Sequence, residues 1–368
     1  MGASCAYHLA KRGCRKVVIL ESQESCGLGA TGQNAGGIRH QFSTEINIRL
    51  SLISISMLEH FPEEMDQEVD LRFCGYLFLV DREEDLAAFQ TSHQLQRSLG
   101  VPSQMLGLEE VARLAPQVNL DGILGASFCP RDGLADPACT LLGYLSQGRR
   151  HGLEVMTESP CLGLVTEGHR ITGVTTPKGT IATNNVLLAA GPWSGQVARQ
   201  WGLDVPVEPV RRQIAITGSL PRLASDYPFV IDFSKALYFH REGDGVLTGM
   251  SNPDQAAGFD ISIDEDWKLI HLREAIRRLP LLEDSVLKTE WAGLYEVTPD
   301  AQPILGALPS MEGLYACTGF SGHGFMHGPA AGLLLAEEIL DGQAHTLNID
   351  PLRFGRFEQA VRGEFHVV

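Results

Sequence analysis

Three glycine-rich stretches hold the residues with chemistry to offer. The first, GLGATGQNAGGIRHQF, runs from Gly27 to Phe42 and ends on Arg39 and His40. Successive backbone N–H groups in such a loop can cradle a pyrophosphate, and small residues let a flat ring approach the chain. The second, GFSGHGF, spans Gly319 to Phe325 and carries His323. It reads as a turn from a strand, Leu314 to Thr318, into a helix starting near Gly328, and a helix amino terminus offers free N–H groups and partial positive charge. The third opens the chain. Gly2 heads an apolar helix (roughly Ala3 to Arg12), Gly13 caps it, Val17 to Leu20 read as a strand, and Glu21 ends that strand. In a dinucleotide-binding βαβ unit an acidic residue about 20 positions past the last fingerprint glycine accepts from a ribose hydroxyl. No strand or earlier glycines precede Gly2, so the unit is expected to be truncated at its start.

Composition narrows the classes. The chain has 368 residues, is 44% hydrophobic and 20% charged, and carries a formal net charge of −16. Without clustered Lys and Arg, a nucleic-acid or anionic-membrane surface is disfavoured. Eight scattered cysteines with no C-x-x-C pair suit reduced thiols better than a disulfide framework or a zinc site, so no metal is expected. No apolar run approaches the ~18 residues of a membrane span, and no signal peptide is visible. A cytoplasmic location is expected, or a mitochondrial one if an upstream targeting segment is missing.

The intervening text positions these stretches. GYLFLV (Gly75 to Val80) reads as a strand, followed by a helix closing on Gly100. Asp136 and Pro137 open another helix as cap and first residue. A hairpin turns at Lys178-Gly179 and leads into an apolar strand, Val186 to Ala190, suited to a sheet covered on both faces. A strand-rich block covers about 205–249, and a helix about 264–278.

Six segments in order, QNAGGIRHQF, NNVLLAAGPWS, VPVEPVRRQ, LYFHREGDGVLTG, WAGLYEVTPDAQPILG and GFSGHGFMHGPAAG, resemble the D-amino-acid-oxidase-like FAD oxidoreductases. The resemblance is nearest to the beta subunits of sarcosine oxidase and dye-linked L-proline dehydrogenase, with dimethylglycine dehydrogenase more distant. It implies an α/β fold: a Rossmann-like FAD-binding domain of the glutathione-reductase type (1–70, 140–204 and 296–368) interleaved with an antiparallel-sheet substrate domain (71–139 and 205–295). It implies Gly2 and Glu21 at the cofactor, Glu21 on the ribose, Thr31 at the pyrophosphate, and Gly36, Gly37 and Ile38 along the cofactor. Cys161 falls at the adenine, Ala190 and Gly191 line the cofactor, and Gly319, Gly322, Gly324 and Phe325 approach the flavin.

The implied reaction is oxidation of the C–N bond of a small secondary or tertiary amino acid by hydride transfer to flavin N5. Arg39 is the expected carboxylate anchor, Tyr238 a wall and hydrogen-bond donor, and His40 and His323 polar groups near the ring. Trp291 and Tyr295 are expected to wall the cavity. Each has a plainer reading: a structural ion pair for Arg39, ordinary core for the aromatic residues, space-filling for the histidines. Gly293 and Asn34 occupy the positions of covalent flavin links in relatives, so FAD is expected to be non-covalent. Leu247 and Met326 replace two family lysines, which favours a dehydrogenase over an oxidase. Partners are then a small amino acid and an electron acceptor or partner subunit. The resemblance extends to flavin-fold assembly factors, the alternative of little or no turnover. The truncated opening implies weak flavin binding in this form.

Overall fold

The computed structural model describes residues 1–358 and 363–367; residues 359–362 and 368 of the last expected cofactor segment lie outside them. Its largest element is an eight-stranded sheet. In spatial order the strands are Leu287–Val297, Glu208–Thr217, Gly245–Met250, Leu237–Glu242, Phe229–Asp232, Tyr76–Val80, Gly125–Cys129 and Gln104–Leu106. All neighbours pair antiparallel except Phe229–Asp232 with Tyr76–Val80.

Side chains along a strand alternate between faces, and here the alternation makes two different surfaces. Leu77, Leu79, Val230, Phe239 and Val246 pack with Ala275 and Leu279 of the helix Glu265–Arg278 and the residues that follow it. Tyr76, Phe78, Phe229, Ile231, Tyr238 and Leu247 form the opposite cluster, joined by Ala35 of the glycine-rich loop. One face is thus a closed core, and the other turns its aromatic residues toward the loop.

The parallel strands form the other layer. Val18–Leu20 pairs with Glu154–Met156, and Val186–Leu188 pairs with Leu314–Thr318, which also pairs antiparallel with Ile304–Ala307. The two groups do not pair with one another among the described residues. The helix Gly2–Lys11 packs against the helices Pro137–Arg150 and Gly324–Asp341. The last crossing is close: a Cβ at Gly332 would lie 2.0 Å from Ser4 Oγ.

Local signals explain the helix starts. Asp136 accepts from the Cys139 N–H at 2.8 Å with Pro137 in the first turn, and Asp264 accepts from the Trp267 N–H at 3.0 Å. The carboxy-terminal helix begins at Gly324, not near Gly328. Pro329 suggests a first-turn position, but the chain already turns at Gly322 (φ +97°), and the helix accommodates the proline inside. No described helix is long and apolar enough to cross a membrane.

Candidate functional site

A cavity of about 1040 Å³ lies between the parallel strands and the aromatic face of the large sheet. Both Val18–Leu20 and Val186–Leu188 line it, as do the first turns of the helices Gly2–Lys11 and Gly324–Asp341. Free N–H groups and the positive ends of two helix dipoles therefore face the same space. That donor set suits a long anionic dinucleotide. Gly2, Glu21, Thr31, Cys161, Ala190 and Gly191 are on the wall. Glu21 sits where its strand ends, with one carboxylate oxygen accepting the Gln23 N–H at 2.9 Å.

The far end is polar and aromatic. Arg39 reaches the wall although it is only 4% exposed. Its guanidinium lies over the Phe42 ring at 3.9 Å and donates to the carbonyls of Gln41 and His366. Among the described residues it has no ion pair. Tyr76, Tyr238 and Tyr295 line the same end, and burial pushes all three phenols above their ordinary pKa, so they stand as neutral donors. Two glycines make this packing feasible. A Cβ at Gly37 would fall 1.8 Å from the Tyr76 hydroxyl, and one at Gly322 would fall 2.3 Å from the Tyr295 ring. His323, Gly324 and Phe325 complete the wall. Burial, then the charge of Arg39, brings the His323 pKa down to about 3, and its Nε2 is buried without a partner.

Five expected residues lie elsewhere. His40 is drawn off the wall by Asp132, which accepts from its backbone N–H at 2.7 Å and contacts Nδ1 at 2.8 Å. Cys129 brings this pair to a metal-like grouping within 4.8 Å. Asp132 also accepts from Gln41 at 3.0 Å, and burial pushes the Cys129 thiol pKa up, so the cluster is hydrogen-bonded core. Gly36 (φ +71°) turns toward Ala135, whose carbonyl would lie 2.7 Å from a Cβ there, and Ile38 is fully buried beside Phe42. Gly319 faces Thr298 while its N–H donates to Glu296 at 2.9 Å. Trp291 packs behind the wall, its indole donating to the Gln33 carbonyl at 3.0 Å.

Three wall residues escaped the sequence reading. Tyr76 was legible only as part of an apolar strand. Glu296 is a half-buried acid whose carboxylate accepts from Thr318 Oγ1 at 2.8 Å, with desolvation raising its pKa. Arg212 faces the cavity from the strand Glu208–Thr217, opposite Gly293. Adjacent arginines look alike in sequence, and only strand register shows which one points inward.

A cavity between helix amino termini and an antiparallel sheet, closed by an arginine and phenols, defines a two-layer nucleotide-cofactor oxidoreductase. The chain belongs to the FAD dependent oxidoreductase (DAO) family, whose family model matches residues 1–338. FAD is accordingly its cofactor. The chain is 32% identical to FAD-dependent oxidoreductase domain-containing protein 1 of Xenopus laevis, over 97% of this chain and 80% of that protein. It is 29% identical to mitochondrial sarcosine dehydrogenase of Homo sapiens, over 93% of this chain but 39% of that protein. Its fold is similar to that of L-proline dehydrogenase from P. horikoshii, with TM-score 0.89 and 29% identity, covering 97% of this chain and 94% of that one.

Proposed function

We propose that the chain oxidises the C–N bond of a small secondary or tertiary amino acid of the sarcosine, dimethylglycine or proline type. The observation that carries this is Arg39, a buried guanidinium on the cavity wall with no acid partner among the described residues. A guanidinium in that state is suited to gripping a substrate carboxylate through its planar fork.

FAD, when bound, supplies the two-electron acceptor for the hydride equivalent that leaves the substrate carbon as the nitrogen lone pair forms the C=N bond. Glu21 would hold the ribose, Gly2 and Thr31 the pyrophosphate, Cys161 the adenine side, Ala190 and Gly191 the middle, and Gly322, Gly324 and Phe325 the ring. Gly293 offers no nucleophile, and the Asn34 amide is tied to Thr31 and Gly36 at 2.6 and 2.8 Å. Both support a non-covalent cofactor. Tyr238, Tyr295 and Tyr76 exclude water and present neutral hydroxyls to the substrate. His323, with a pKa of about 3, is too weak a base at neutral pH to take the amine proton. It serves as a neutral hydrogen-bonding group, and the amine reacts in its uncharged form. Leu247, buried in the aromatic cluster, places no cation beside the ring, which supports a dehydrogenase using an acceptor other than oxygen.

Arg39→Lys tests the reading in the FAD-loaded protein. Loss of the bidentate grip should raise the substrate concentration for half-reduction about 10–100-fold while flavin content stays constant. An unchanged concentration would remove Arg39 from substrate binding.

A further inference from the structure

Arginines inside this fold fall into two kinds. Arg278 and Arg356 are buried, and each is held by a buried acid, Asp232 at 2.8 Å and Asp300 at 2.7 Å. Arg39 is buried without one. Arg212, half-buried on the same cavity wall, also lacks one. Among the described residues it makes no ion pair and its buried Nε has no hydrogen-bond partner, while its Nη1 donates to the Arg211 carbonyl at 3.0 Å. Arg211, one residue earlier and on the opposite face of the strand, shows the contrast, pairing with Asp260 at 2.9 Å and Asp264 at 3.5 Å.

A protein with a net charge of −16 has acids to spare, yet Arg39 and Arg212, neither ion-paired among the described residues, line one cavity, whereas Arg241, also without an ion pair, lies off its wall and donates to the Leu223 carbonyl. A guanidinium withdrawn from water without a counter-charge, wholly at Arg39 and in part at Arg212, is costly, and an anion arriving from outside removes that cost. The two cations share one end of the cavity. The Arg212 guanidinium lies 5.0 Å from the centroid of the Tyr295 ring. That phenol, packed against Gly322 of the ring-side turn, feels the charge of both Arg212 and Arg39. Tyr238 also flanks Arg212 with a neutral hydroxyl.

We infer that Arg212 forms an anion subsite for the substrate, so that the amine oxidised here is an amino dicarboxylate. One carboxylate sits on Arg39, the second on Arg212, and the reacting C–N bond lies between them. This rests on the reading of Arg39 given above and adds the class of substrate.

Two ethers that contain no oxidisable amine separate the subsites: oxydiacetate, with two carboxylates, and methoxyacetate, with one. Their affinities for the FAD-loaded protein are read by calorimetry and by perturbation of the flavin spectrum. Oxydiacetate should bind about 10–100-fold tighter than methoxyacetate, the worth of one charge-assisted contact. In Arg212→Gln that ratio should fall to within about threefold, with circular dichroism and flavin content unchanged. If Arg212→Gln does not fold, Arg212→Lys, which keeps the charge but loses the fork, should still cut the ratio. A ratio near one in the wild type, no binding of oxydiacetate, or a ratio that survives in the variants overturns the subsite. Loss of FAD from an otherwise folded Arg212→Gln also overturns it, since Arg212 would then serve the cofactor. Flavin reduction by sarcosine with a wild-type ether ratio near one would sink the subsite alone. A high ratio with no amine able to reduce the flavin would instead sink the proposed function.

Discussion

Replacing His271 with Gln should remove a defined share of the acid sensitivity of this fold. His271 lies on the inner side of the helix Glu265–Arg278 and is 1% exposed. Its Nε2 is 3.0 Å from Thr248 Oγ1, and that hydroxyl donates to the Tyr238 carbonyl at 2.9 Å, so the imidazole props the strand that carries a cavity tyrosine. Burial lowers its pKa from 6.5 to about 4. The unfolded chain therefore binds a proton near pH 6.5 that the folded chain resists until about pH 4. The stability this group contributes is present above the unfolded pKa and is lost as pH falls through that window. Between about pH 7 and about pH 5 the linkage integral amounts to about 2 kcal/mol. Gln does not titrate and keeps a polar contact to Thr248. Urea unfolding at both pH values gives each loss in stability, and the wild type should lose about 2 kcal/mol more than His271→Gln, whatever the variant costs overall. Equal losses to within about 0.5 kcal/mol would refute the reasoning, because the folded protein would then accept the proton as readily as the unfolded one.

Four further outcomes follow from the packing and the site. Gly322→Ala combines a φ of +97° with a Cβ 2.3 Å from the Tyr295 ring, and should cost about 2–4 kcal/mol by chemical denaturation. Gly342→Ala, at φ +80° but facing open space, should cost about 1 kcal/mol. Arg356→Met strands the buried carboxylate of Asp300 and should destabilise by about 3–5 kcal/mol in the same assay. Acid precipitation of the FAD-loaded protein should release all flavin into the supernatant, and yellow pellet after washing would show a covalent link.

Much of the architecture was legible because local chemistry and tertiary context agree. Asp136 and Asp264 cap the helices that follow them, and the apolar run at Tyr76–Val80 is a strand buried on both faces. The expected α/β fold is present, with the parallel strands in one layer and the large, mostly antiparallel sheet across the cavity from them. The site was legible where glycines announce close approach, as at Gly37 and Gly322. It was not legible where a distant partner decides the outcome. His40 follows Arg39 directly, yet Asp132, far along the chain, holds it in the core. Trp291 is claimed by the Gln33 carbonyl, and the inward turn of Arg212 rather than Arg211 depends on pairing with Leu287–Val297. Such choices are set by register and by the search of buried polar groups for partners, which composition and spacing do not encode.

Anaerobic titration of the FAD-loaded protein with sarcosine, dimethylglycine, proline and an N-carboxymethyl amino acid tests the central claim most directly. The account predicts that at least one of them removes the visible absorbance of the oxidised flavin stoichiometrically, in a manner dependent on Arg39. Flavin that stays oxidised with every one of these amines would contradict it.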